Sequence, residues 1–215
     1  MLAIFDVEGV LYDAEYLPIL AEKVNKDQEI WDITKKGIQG MINWEEGLKK
    51  RVELLQGINY ETCIEVANSL PIMTGAKEVC NALKQAGWKI LAVSGGFTIM
   101  TDRRTKELNV DYVLSNELIF NNGKLDGVTI NVDSDKAKSA KAKIDEWGEK
   151  KDEITVIVDG ANDVKLFDIC GLAIAYRAQD IVKDLATVSL EEKDLSKIIP
   201  IINSHYNLKT PLVQS

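Results

Sequence analysis

The chain has 215 residues, 46% hydrophobic and 28% charged, with a net charge of −8. That length can bury one full core, or a core plus a small second domain. The acidic balance argues against nucleic acid and anionic membranes as partners, and no apolar run reaches the roughly 18 residues of a membrane span.

Leu2-Ala3-Ile4-Phe5 reads as a buried strand. It runs directly into Asp6 without the charged n-region of a secretory leader, so a cytoplasmic location is expected. From residue 14 to 70 the periodicity is helical. Leu17, Leu20, Ala21 and Val24 mark one apolar face, and Ile30, Ile33, Thr34 and Ile38 a second. Asn43 before Trp44 is a candidate N-cap for a third helix, and residues 60–70 form a fourth. Residues 71–74 are the expected return hinge. Helices and strands then alternate: a helix over 76–86, a strand over 89–93, a helix over 98–108 and a short strand over 112–114. A hairpin of 117–120 and 124–130 follows, turning at Asn121-Asn122-Gly123. Beyond it come a lysine-rich helix over 134–147, a strand over 154–158, a helix over 163–169, a strand over 172–175 and a helix over 195–203. A poorly ordered tail is expected after Tyr206. The alternation predicts an α/β fold, a Rossmann-like core with a parallel sheet, interrupted by an inserted helical domain.

Three strand ends concentrate polar chemistry: Asp6-Val7-Glu8-Gly9-Val10, Val93-Ser94-Gly95-Gly96-Phe97 and Val158-Asp159-Gly160-Ala161-Asn162-Asp163. Open α/β sheets bind ligands at that edge. A carboxylate such as Asp6 can attack phosphorus, and Glu8 is placed to protonate a leaving oxygen. Ser94, Gly95 and Gly96 offer a hydroxyl and backbone N–H groups to an anion. Asp159 and Asp163 suit a hard cation. Each stretch also has a plainer reading: Asp6 as a helix cap, Ser94-Gly95-Gly96 as a tight turn, Asn162 or Asp163 as an N-cap. Among Lys136, Lys138, Lys141 and Lys143, periodicity does not say which points inward. Cys63, Cys80 and Cys170 are too scattered for a zinc site or disulfide framework. With His205 the sole histidine, acid–base work falls to carboxylates, Lys or Tyr.

These motifs, in this order, resemble those of the haloacid dehalogenase superfamily, in its phosphoserine phosphatase branch. The stretch from Asp6 resembles the first motif, Asp-x-Asp-x-Thr/Val. Ser94-Gly95-Gly96-Phe97 resembles the second. Lys136 takes the third by its ungapped spacing to Asp159, and Asp159-Gly160-Ala161-Asn162-Asp163 resembles the fourth. Within the helical insert, Asp13-Ala14-Glu15 and Lys50-Arg51-Val52 are similar to segments that read the substrate's ammonium and carboxylate. The similarity runs from about residue 2 to 200.

The resemblance implies a core of residues 1–13 and 74–215 with a helical cap of 14–73. It implies a Mg²⁺-dependent phosphomonoesterase that hydrolyses O-phosphoserine through an aspartyl phosphate on Asp6, with Glu8 as acid and base. Ser94, Gly95 and Lys136 would hold the phosphate, and Glu15, Arg51 and Asn162 the rest of the substrate. Mg²⁺ would sit on Asp6, Glu8 (through its carbonyl), Asp159 and Asp163. The expected partner is a small phosphorylated metabolite, and a homodimer is left open. Glu8 stands where the family has Asp, Val158 where it has Gly, and Met73-Thr74-Gly75 lacks the usual proline. Two rival readings follow: a phosphatase or phosphotransferase for another small ester, and a phosphate-binding regulatory protein slowed by Glu8.

Overall fold

The computed structural model describes residues 1–208 and Leu212, with the side chains of all of these except Arg103 and Arg104. Strand β1 is Leu2–Phe5. Four helices follow: α1 Tyr16–Glu22, α2 Asp27–Ile38, α3 Trp44–Leu54 and α4 Tyr60–Ser69. Next come α5 Ala76–Gln85, β2 Lys89–Phe97, α6 Thr98–Glu107, β3 Tyr112–Asn121, β4 Lys124–Thr129 and α7 Lys136–Trp147. The chain closes with β5 Ile154–Val158, a 3₁₀ segment Ala161–Ile169, β6 Leu172–Tyr176, α8 Asp180–Leu185, β7 Val188–Leu190 and α9 Ile198–Tyr206.

Among the described residues the strands form one seven-stranded sheet in the order β4-β3-β2-β1-β5-β6-β7. Every neighbouring pair is parallel except β3 with β4. The expected α/β architecture is therefore the observed one. Residues of β1 alternate between two cores, Ala3 and Phe5 packing on one face of the sheet and Leu2 and Ile4 on the other. This is the pattern of a strand covered by helices on both sides. The strands β2, β1 and β5, whose ends carry the three polar motifs, are adjacent. Phe5 pairs with both Ala92 and Ile157, so Asp6 comes level with Val93 and Val158, one residue short of Ser94 and Asp159.

Where the chain enters and leaves the helical segment, two short bonds close the passage: the Asp13 N–H donates to Pro71 O (2.9 Å) and the Met73 N–H to Leu11 O (2.9 Å). The turn between α3 and α4 is fastened to the β3–β4 hairpin. Gly57 donates to Leu125 O, Leu125 to Ile58 O and Tyr60 to Gly123 O, each at 2.8 Å.

Several elements differ from the sequence reading. The expected short strand over 112–114 and the first hairpin strand are one continuous β3, pairing with β2 in its first half and β4 in its second. Ser115 and Asn116 interrupted the apolar run, yet both are buried. The expected helix over 163–169 is the 3₁₀ segment, opened by the Asp163 N–H to Gly160 O at 3.0 Å. Its tighter i to i+3 closure holds Asp163 near Asp159. Gly160 is the residue preceding this segment and no side chain caps it, which removes the N-cap reading of Asn162 and Asp163. α8 and β7 were not anticipated; the three-residue β7 at the sheet edge is too short to show a period. The expectation about the tail falls mostly on residues 209–211 and 213–215, outside the described residues. Leu212 is buried, with Asn203 bonded to both its N–H and its carbonyl. No described helix is long and apolar enough to cross a membrane.

Candidate active site

The three strand ends and the helical segment enclose one cleft, lined by Asp6, Glu8, Gly95, Gly96, Lys136, Asp159 and Asn162 from the sheet side and by Glu15, Thr34, Trp44 and Arg51 from the helices above. Most of the expected site residues thus meet in one place. Asp6 Oδ1 accepts from the Val7 N–H (2.7 Å) and from Lys136 Nζ (2.8 Å). Lys136 also reaches Asp163 Oδ1 at 2.6 Å. It is 3% exposed, whereas Lys138 and Lys141 are on the surface, so Lys136 is the inward lysine. Asp135 starts α7 by accepting from the Lys138 N–H, which places Lys136 at the first helical position facing the sheet.

Ser94 Oγ accepts from the Gly96 N–H at 2.9 Å. Glu8 Oε1 accepts from the Tyr16 N–H at 2.7 Å, so its longer side chain bridges from the β1 end to the start of α1. Gly96 makes room for it: a Cβ there would lie 2.6 Å from Glu8 Oε2. Gly9 is required twice over, since its φ is +80° and a Cβ would collide with the Asp159 carboxylate. Arg51 Nε donates to Gly47 O (3.2 Å) and Nη1 to Thr34 Oγ1 (3.0 Å). Two of the five guanidinium N–H groups are so occupied, which fixes the plane and leaves three for a ligand. Asn162 Nδ2 donates to Asp163 Oδ1 at 2.7 Å.

Sequence reasoning did not assign Thr34, Trp44 or Asn116 to the site. Thr34 was read as part of an apolar helical face. It is 1% exposed, and the signal was a hydroxyl at a core position, which needs a partner. Trp44 lies against Gly95, its ring 2.7 Å from where a Cβ would stand.

Electrostatics follow from crowding. Burial, reinforced by the Asp6 charge, pushes Glu8 up to about 7 against the opposing Tyr16 N–H. Burial and then Asp6 push Asp159 up to about 7. Burial likewise holds Glu15 and Asp163 well above the usual carboxylate range, with Glu8 and Asp6 respectively the next contributors. For Lys136 burial disfavours the charge, but Asp163 and Asp6 more than offset it and its pKa rises. Burial lowers that of Arg51, with Glu8 and Glu15 opposing.

Asp6, Asp159 and Asp163 each offer an oxygen within 4.8 Å of the others, and Asp163 Oδ2 is buried with no hydrogen-bond partner. An orphaned buried carboxylate oxygen within a hard-oxygen cluster fits a divalent cation. Glu8's side chain is outside this cluster, so it would join such an ion through its carbonyl, as the resemblance implied. Without a cation the raised groups set a pH dependence. Glu8 and Asp159 keep protons when folded that the unfolded chain sheds near ~4. Their contribution is complete below that value and is lost as pH rises through about 7. Chelated protein should melt about 5–10 °C lower at pH 8 than at pH 5.5. A divalent cation should restore more at pH 8; a melting temperature flat across this range would contradict the site.

A haloacid dehalogenase-like hydrolase family pattern matches residues 3–168. The chain belongs to this family. Among its members, the phosphoserine phosphatase of Methanocaldococcus jannaschii is 33% identical over 207 residues, covering 94% of this chain and 97% of that protein. That of Archaeoglobus fulgidus is also 33% identical over 94% of this chain, and this chain spans only 59% of its length. The substrate-bound phosphoserine phosphatase structure superposes with a TM-score of 0.90 at 30% identity, over 93% of this chain and 97% of that one. A structure of the phospho-aspartyl intermediate analogue of a phosphoserine phosphatase gives 0.90 at 31%, with the same coverage. A haloacid dehalogenase-like hydrolase is thus present from β1 into the 3₁₀ segment that carries Asp163.

Proposed function

We propose that this chain is a Mg²⁺-dependent phosphoserine phosphatase working by two transfers through Asp6. The observation that carries the reading is the pairing of Asp6 with Lys136 in a cleft that Glu15 and Arg51 also line. Relatives called phosphoserine phosphatases that align over nearly the whole chain support it.

In this reading residues 14–73 are a cap over the core. The phosphate lies against Ser94, the Gly95 backbone and Lys136. The fixed Arg51 fork takes the carboxylate and Glu15 the ammonium, with Asn162 at the cleft wall. An Asp6 oxygen bonds to phosphorus while the phosphorus–oxygen bond to serine breaks, and Glu8 gives its proton to the departing oxygen. Glu8 then takes a proton from water as the water oxygen bonds to phosphorus. The Asp6–phosphorus bond breaks, freeing phosphate and restoring both carboxyls. Mg²⁺ held by Asp6, Asp159, Asp163 and the Glu8 carbonyl would offset the repulsion between phosphate and carboxylates.

The test compares phosphoserine with phosphoethanolamine, which lacks the carboxylate. The unmodified chain should prefer phosphoserine. Arg51→Ala should lose about 10²-fold in kcat/KM for phosphoserine, as expected of a lost charged pair, and little for phosphoethanolamine. Equal losses on both esters would refute the substrate assignment.

A further inference from the structure

The Ser94-Gly95-Gly96 stretch has a structural problem. Val93 pairs with Leu114 and Phe97 with Asn116, so β2 spends four steps where β3 spends two. The three residues between bulge out of the ladder, and two are glycines with no side chain to hold them. A loop meant to bind phosphate through its backbone needs an outside constraint.

Asn116 supplies one. It is fully buried in the middle of β3, and its amide is used on both sides. Nδ2 donates to Gly95 O at 2.9 Å. Oδ1 accepts from the N–H groups of Asn131 and Val132, each at 2.9 Å. On the first side, the peptide joining Gly95 to Gly96 is clamped at both ends, its carbonyl by Asn116 and its N–H by Ser94 Oγ. Ser94 Oγ is the acceptor in this contact, so its hydroxyl proton is not used there. On the second side, the amide holds the turn after β4, four residues before Lys136. Both elements that would contact phosphate, one on β2 and one on α7, are therefore registered against one side chain.

We propose that Asn116 is a positioning residue for the phosphate subsite, setting the Gly95 peptide and the approach to Lys136 without touching substrate. The inference rests on the phosphate-binding role given above to Ser94, Gly95 and Lys136. It predicts a selective defect. A misplacement of about an ångström in such a loop costs about a hundredfold in chemistry, and loss of one buried hydrogen bond costs about tenfold in binding.

The direct test is Asn116→Asp, which keeps the shape and the two acceptor contacts but replaces the donor to Gly95 O with a second acceptor. Equilibrium titration with inorganic phosphate and, separately, L-serine, both with Mg²⁺, reads the two halves of the cleft without turnover. Phosphate affinity should fall about tenfold or more while serine affinity is unchanged. Unchanged phosphate affinity, or equal weakening of both ligands, would overturn the proposal. Asn116→Ser, which leaves space for a bridging water, is read by the same two titrations if the aspartate variant does not fold. Wild-type protein that binds phosphate but never hydrolyses phosphoserine would defeat the substrate reading, while the phosphate titration of the Asn116 variants would still decide this proposal.

Discussion

Asp6→Asn should lower phosphate release by about 10⁴-fold or more, the scale seen when a covalent nucleophile is removed. The substitution is nearly isosteric. An amide oxygen can still accept from the Val7 N–H and from Lys136, as Asp6 Oδ1 does. Lys136 also keeps its contact with Asp163. The fold should persist, and inorganic phosphate should still bind, because an anion loses one repelling charge. What disappears is an oxygen nucleophilic enough to form the bond to phosphorus. A phosphate-release assay alongside a melting curve checks both halves. Turnover within tenfold of wild type would remove Asp6 from the chemistry.

Glu8→Gln should lose about 10²–10⁴-fold, the usual contribution of a general acid–base group. It should also change the shape of the pH profile. Glu8 is lifted to about 7 by burial. As the acid of the first transfer it must be protonated, so kcat/KM should fall as pH rises through that value. A cation held nearby stabilises the carboxylate and moves the fall lower. Ionisation of the substrate phosphate is common to both proteins, so the difference between profiles isolates Glu8. A glutamine variant that keeps the alkaline fall would assign it to another group. The extra methylene of Glu8, relative to the Asp usual here, spans to the Tyr16 N–H at the first residue of α1. The acid is therefore held by the helical segment as well as by the core.

The outline of this site was legible because parallel sheets place strand ends together. The apolar runs over 2–5, 89–93 and 154–158 each stop at polar residues, and β2 and β5 flank β1 in the sheet. Choosing Lys136 needed family spacing, since four lysines share its helix. Thr34 and Asn116 were not legible. Unless its partner is known, a polar residue inside an apolar pattern reads as a break, as Asn116 did, or as one more member of the buried face, as Thr34 did. The partners here lie 17 residues away for Thr34, and 15, 16 and 21 away for Asn116. The same blindness split β3 in two: Ser115 and Asn116 looked like the end of a strand, where they are its buried centre. The 3₁₀ geometry of Ala161–Ile169 was hidden for another reason. It goes with the closure of Asp163 against Lys136, a tertiary contact that local sequence does not reveal.

The aspartyl-phosphate mechanism is tested most directly by one time course: inorganic phosphate and serine released from phosphoserine by the unmodified chain with Mg²⁺ at neutral pH. It predicts many turnovers per protein molecule, abolished by chelation and restored by returning the ion. Phosphoserine that binds stoichiometrically and is recovered intact would contradict it.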